Sequence, residues 1–350
     1  MDTRAHLFGM MPDQLAAHLR ARGVDASDAE ARRYLGHVIS RGGEGVMSRP
    51  PSKRFLAGVE AHVDRAPLEI VERVTDPSDG FVKYLFRSPD GALSEAVRIP
   101  LEKPGCFTVC LSSQVGCAMQ CVFCATGRLG LTRHLEAWEM VAAFSAVRDE
   151  AAEAGGRVTG AVFMGQGEPL HNYDAVIQAA KVLSHPCGGR IKQESIRIST
   201  VGLVAQIRRF AREGHRFRLV ISLSSAVADR RRRLLPVAGR FPLEEVADAI
   251  REYAAVAQGR VTIAWVLMGG ENHDAEEARA LAALLEGVPV RVNLIDVNDA
   301  REDGFRPPTD AERDAFVDAL QVLRAPIVRR YSGGKEKHAA CGMLAAARGA

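Results

Sequence analysis

The feature that most restricts this chain is an alternation. Short apolar runs, rich in β-branched residues, are each followed by a longer amphipathic stretch from Phe107 to Tyr331. The strand candidates are Phe107 to Leu111, Val158 to Met164, Ser195 to Ser199, Phe217 to Leu223, Arg260 to Leu267, Val290 to Val297 and Pro326 to Tyr331. Helical candidates lie between most of them: Leu135 to Ala154, Tyr173 to Ser184, Val204 to Glu213, Leu243 to Ala257, Asp274 to Leu285 and Thr309 to Leu323. Strand followed by helix, repeated, predicts an α/β fold with parallel strands covered by helices. Ligands of such folds sit at the carboxyl ends of the strands, in the loops that follow.

The chain before this alternation is built differently. Pro12 to Arg22 carries Leu15, Ala16 and Leu19 at helical spacing, and Ala26 to Ile39 carries Tyr34, Leu35 and Val38 likewise. The RGGEGV run after Ser40 and the Pro50-Pro51 pair break that pattern. Three strands then follow, Ile70 to Val74, Phe81 to Arg87 and Ala96 to Ile99, separated by DPSDG and SPDG turns, as in an antiparallel meander. The expected division is a helical accessory domain over 1–75, connecting strands over 76–105 and the core over 106–350.

Composition narrows the class. The chain is 47% hydrophobic and 25% charged, an ordinary balance for a soluble globular protein. It has no apolar run near the roughly 18 residues that a transmembrane helix needs, so no membrane partner is expected. The opening MDTRAHLFGMMPDQL lacks the apolar segment of a secretory signal, and a cytoplasmic location is expected. The net charge of +3 says little, but between Ala205 and Arg240 ten arginines face only Glu213 and Asp229. Such an excess either attracts a polyanion or forms a solvated helical face.

The 7 cysteines are unevenly placed: Cys106, Cys110, Cys117, Cys121 and Cys124 crowd together, with Cys187 and Cys341 apart. Without an export signal, that spacing points to metal binding or catalysis rather than disulfides. The centre is GCAMQCVFCATG, where Cys117, Cys121 and Cys124 stand in CxxxCxxC spacing after a strand candidate. Three thiolates hold three irons of a cubane and leave the fourth iron open. A structural zinc site wants four ligands, and Cys110 or Cys187 is available as a fourth. Spacing alone leaves both readings standing. FMGQGEPLHNYD, at the end of the next strand candidate, offers Gly165 and Gly167 for close backbone approach and Glu168 and Pro169 as a rigid polar edge.

CxxxCxxC with Phe123 before its last cysteine resembles the radical S-adenosylmethionine (SAM) signature, and the GQGEP stretch resembles that superfamily's amino-group-binding element. The resemblance implies a partial (β/α)6 barrel, a [4Fe-4S] cluster on Cys117, Cys121 and Cys124, and SAM as cofactor. A narrower resemblance is carried by CLSSQVGCAMQCVFCATG, MGQGEPLHNYD, the IST-x-G run from Ile198 to Gly202, and the terminal AACGML. Together these resemble the RlmN/Cfr family of radical SAM methyltransferases acting on adenosine in RNA. That family also carries a small N-terminal helical domain.

Residue by residue, the resemblance implies that Cys341 is S-methylated, that Cys110 is the second catalytic thiol, and that Glu95 is the proton-accepting base. It implies SAM contacts from Gly167, Glu168, Ser199, the Ser222, Leu223 and Ser224 segment, and Asn298. The implied chemistry runs through S-methylated Cys341, loss of a hydrogen from that methyl to leave a carbon radical, its addition to the adenine ring, and release through a transient disulfide with Cys110. Expected partners are ribosomal or transfer RNA and an electron donor such as flavodoxin or ferredoxin, with the enzyme a monomer. The chain departs from the family at Ser224, where histidine is usual, at Met343, where glutamine is usual, and in its DVNDA and YSGGKEKH stretches. These departures leave the RNA and the modified carbon open. A radical SAM methylase of a small molecule or peptide and a zinc-binding RNA adaptor remain as alternatives. Cys106 and Cys187 are expected to be structural.

Overall fold

The computed structural model describes residues 5–43, 46–298, 301, 304–330, 333 and 343, so Cys341 lies outside the described residues. Three helices come first: α1 (Pro12–Arg20), α2 (Asp28–Val38) and α3 (Lys53–His62). Pro12 opens α1, while Ser27 closes a capping box with Glu30 at the start of α2. The accessory unit was expected to hold a helix pair; α3 is a third. The Pro50-Pro51 break is followed at once by Ser52, whose hydroxyl caps α3 by accepting from the Phe55 N–H. Leu15, Leu19, Leu35, Phe55 and Val59 turn inward and are fully or almost fully buried.

Ten strands form one sheet. β1 (Glu69–Thr75), β2 (Val82–Arg87), β3 (Leu93–Pro100) and β4 (Cys106–Leu111) pair antiparallel in sequence order. β4 then pairs parallel with β5 (Arg157–Phe163), which begins the series β6 (Ile196–Thr200), β7 (Arg218–Ser222), β8 (Val261–Leu267), β9 (Val290–Asp296) and β10 (Ile327–Arg330). Every neighbour in that series is parallel. The meander is therefore an extension of the main sheet, and the boundary expected at 105/106 falls between two hydrogen-bonded strands. Likewise β1 lies inside the span expected to be helical.

The covering helices are α4 (Ala137–Glu153), α5 (Tyr173–Ser184), α6 (Val204–Glu213), α7 (Ala228–Leu234), α8 (Leu243–Val256), α9 (Ala275–Leu284) and α10 (Asp310–Ala319). β4 to β9 each lead into covering helices, giving six βα units of a partial barrel, and β10 adds a seventh parallel strand. The described sheet does not close, because β1 and β10 are its two edges. Alternation sorts β6: Ile196 and Ile198 are buried toward the helices, while Arg197 and Ser199 face the barrel interior. None of the described helices is long and apolar enough to cross a membrane.

The accessory helices share one hydrophobic core with the barrel. His6 stacks on Trp138 of α4 with ring centroids 4.0 Å apart, and Gln178 of α5 donates to the Gly9 carbonyl at 2.9 Å.

Candidate active site

Two cavities meet inside the barrel. The upper one, at the carboxyl ends of the strands, is walled by Cys117, Cys121, Cys124, Glu168 and the strand-end serines. The lower one lies farther toward the strands' amino ends and is walled by Cys110. Met164, Ala264 and Ile295 line both.

The loop after β4 is pinned on three sides. Gln114–Gly116 pairs with Leu131–His134 as a short ladder, and the Cys117 N–H donates to the Gly130 carbonyl at 2.7 Å. The Val122 N–H reaches the Leu234 carbonyl at the end of α7, at 3.2 Å. Burial pushes the Cys117 thiol up to about 12 and the Cys121 thiol well above its ordinary value. Metal binding would have to displace those protons. Among the described residues no group of three or more His, Cys, Asp or Glu is drawn together to hold a single metal ion.

The fourth ligand of the zinc reading is missing among the described cysteines. Cys110 faces the other cavity, and Cys187 packs beside Gly36 of α2. Three thiols spread around one cavity suit a cubane, whose three thiolate-bound irons stand apart, better than a closed tetrahedral ion.

The GQGEP turn follows β5. A Cβ on Gly165 would stand 2.8 Å from the Ser112 nitrogen, and one on Gly167, at φ +104°, would stand 2.7 Å from Gln114 and Ser113. Both glycines are thus required by close packing against the cysteine loop. The Glu168 N–H donates to Gln114 Oε1 at 2.8 Å, and its carboxylate accepts from the Val201 and Leu170 N–H groups. Burial raises Glu168 to about 7, against the lowering effect of those bonds.

Ser199, Ser222, Ser224 and Asn298 also line the upper cavity. Leu223 does not: its side chain is fully buried, and its N–H and carbonyl bind Ala264 and Arg231. Only the serines on either side of it face the cavity.

Glu95 sits on β3, where Val97 pairs with Cys110 of β4. Glu95, Val97 and Lys83 share the barrel-facing side, and Lys83 Nζ lies 3.5 Å from the Glu95 carboxylate. Gln166 of the GQGEP turn donates to Glu95 Oε2 at 3.3 Å. Burial is the main force raising Glu95 to about 7, with Lys83 opposing it. Lys83 and Gln166 carry no sequence signal of their own; only the register places them there.

Half of the ten arginines in the arginine-rich segment form ion pairs. Arg208 binds Glu252, Arg209 binds Asp174 and Glu213, Arg216 binds Glu194, Arg230 binds Asp274 and Glu277, and Arg232 binds Asp229. Arg212, Arg233 and Arg240 of the same segment are exposed. Arg231 instead points inward, 1% exposed, donating to the carbonyls of Val201 (2.6 Å) and Leu223. Burial lowers it to about 10, while the neighbouring Cys121 acts to raise it. Its spacing with Leu234 and Leu235 was the available signal.

The radical SAM superfamily model matches residues 111–282. A protein of Anaeromyxobacter sp. (strain Fw109-5) named "Probable RNA methyltransferase" is 50% identical over 97% of this chain and 98% of its own. The dual-specificity RNA methyltransferase RlmN of Syntrophobacter fumaroxidans is 38% identical over 93% of this chain and 94% of its own. The chain belongs to the RlmN/Cfr family of radical SAM RNA methyltransferases. Consistent with that RlmN/Cfr membership, the crystal structure of a radical SAM methyltransferase from Sphaerobacter thermophilus superposes with a TM-score of 0.89 at 36% identity, covering 98% of this chain and all of that one. The RlmN/Cfr family implies a [4Fe-4S] cluster and SAM as cofactors, and the donor set of the upper cavity fits them. Ser224, which replaces the family's usual histidine, still faces that cavity.

Proposed function

We propose that this enzyme methylates a ring carbon of adenosine in ribosomal or transfer RNA, with Cys117, Cys121 and Cys124 holding the cluster and Glu168, Ser199, Ser222, Ser224 and Asn298 surrounding SAM. The observation that carries the reading is the junction of the two cavities, which brings the cysteine loop and Cys110 to opposite sides of a shared wall. When bound, the cluster and SAM supply one-electron chemistry that makes an unreactive methyl group reactive. The chain's own residues do the rest.

An electron-poor ring carbon does not displace a methyl group from SAM, whereas a cysteine thiolate does. Cys341 takes that role. Gly333 lines the lower cavity, and eight residues of chain span at most about 28 Å, so Cys341 is within reach of Cys110. Glu95, raised to about 7, is poised as a general base near neutral pH for the proton on the modified carbon. Cys110 sulfur then attacks the Cys341 sulfur. A disulfide forms, the bond from Cys341 to the methylene carbon breaks, and its electron pair passes to the adenine product, which takes up a proton as the methyl group is completed.

Reconstituted holoenzyme is incubated anaerobically with reductant, methyl-labelled SAM and total RNA, and the RNA is digested to nucleosides. Label in a ring-methylated adenosine supports the proposal; label on Cys341 with none in RNA overturns it. The Cys110→Ala variant should accumulate a covalent enzyme–RNA adduct, visible as a nuclease-sensitive shift on denaturing gels. Normal release of product would remove Cys110 from the mechanism.

A further inference from the structure

The lower cavity is built of two unlike halves. On the side of β3, β4 and β5, Phe81, Val97, Cys110 and Val162 form a small apolar cluster of their own, with Ile99 and Met164 packed against it. On the opposite side Arg197 of β6 and Arg330 of β10 enter the wall. Arg218 and Arg291 stand two residues before the wall residues Val220 and Asn293, so alternation turns them to the same interior face.

Among the described residues no carboxylate pairs with Arg197, Arg218, Arg291 or Arg330; the first three are half-buried and Arg330 is exposed. Burial first, then Arg330, Arg218 and Arg291, lower the pKa of Arg197, and no carboxylate among the described residues acts on it. Glu102 is the one carboxylate in the described wall. Arg329, by contrast, is turned to Asp314. Buried polar atoms at the same level also lack partners: Arg291 Nε, Asn293 Oδ1 and Thr108 Oγ1. Unpaired donors and acceptors in a cavity are costly unless a ligand satisfies them.

An apolar wall beside a reactive thiol, facing a cluster of unpaired guanidinium groups, has the polarity of a nucleotide. We propose that the lower cavity takes the target nucleotide from the amino-terminal side of the parallel strands. Its base lies against Phe81, Val97 and Cys110, and its flanking backbone phosphate lies among Arg197, Arg218, Arg291 and Arg330. This rests on the RNA reading above and adds the route of entry and the residues that hold the backbone. Guanidinium groups bind phosphate through charge-assisted, often bidentate, hydrogen bonds that carry no base sequence.

The test uses holoenzyme and a fluorescent single-stranded RNA oligomer containing adenosines, with affinity measured across a salt series. Arg197→Gln and Arg291→Gln should each weaken binding about ten-fold and make the slope of log affinity against log salt shallower by about one. Arg197→Lys should keep most of the affinity, and Arg212→Gln, on the outer surface, should match the parent. Iron content and RNA-independent cleavage of SAM should be unchanged in all four, which separates lost contact from lost folding. Parent affinity and slope in both glutamine variants would overturn the inference. If the parent labels no RNA at all, the RNA reading fails instead; if it labels RNA while the glutamine variants bind as the parent does, only this inference fails.

Discussion

Glu95 shows how a residue with an unremarkable sequence context becomes poised for chemistry. It lies 4% exposed between Lys83 and Gln166, and burial raises it from 4.5 to about 7. In its proposed role as general base Glu95 works deprotonated, so turnover should rise with pH through about 7. Glu95→Gln should remove that limb and slow the chemical step by roughly 10²–10⁴-fold in single-turnover assays. The same shift bears on stability with a defined sign. Between 4.5 and about 7 the folded state holds the Glu95 proton more tightly than the unfolded state does. Its contribution is therefore fully present below 4.5 and is lost as pH rises through about 7. Urea midpoints at the two ends of that window should converge in Glu95→Gln relative to the parent.

Among the elements, α7 is the one whose role differs most from its sequence. Arg230 to Arg233 read as a charged patch, yet the helix buries Arg231 and hands the Leu234 carbonyl to the cysteine loop. One side chain thereby fastens the ends of β6 and β7 beneath that loop. Arg231→Met leaves the Val201 and Leu223 carbonyls without their donor, at a cost of at least about 2 kcal/mol. It should also lower iron retained per chain on gel filtration. Arg231→Lys should not restore it, because one ammonium does not reproduce the fork of a guanidinium. The parallel strands and their covering helices were legible because burial imposes clear periodicity on them, as at Tyr173–Ser184 and Val204–Glu213. The cysteine loop was legible from spacing. The partners that act across the sheet, Lys83 and Gln166 around Glu95 and Gln114 on Glu168, were not, since register and loop closure bring together residues far apart in sequence. Leu223 shows the converse: adjacency to Ser222 and Ser224 did not place it in the cavity, because alternate residues face opposite ways.

At the scale of the molecule, the accessory helices are continuous with the barrel's outer layer. Besides the shared core, His6 against Trp138 and Gln178 holding the Gly9 carbonyl join the two. Trp138→Ala should loosen this seam by roughly 1–3 kcal/mol. Amides of α1 to α3 should then exchange faster with deuterium while those of β5 to β9 keep their protection. Equal acceleration throughout would mean that the two parts unfold as one. The barrel has a further consequence at this scale. Met164, Ala264 and Ile295 belong to the lining of both of its compartments. Under the proposed chemistry, whatever passes between the cluster side and the Cys110 side has to pass these three side chains. Enlarging Ala264 should therefore act as a shutter, stopping traffic between rooms that each remain furnished.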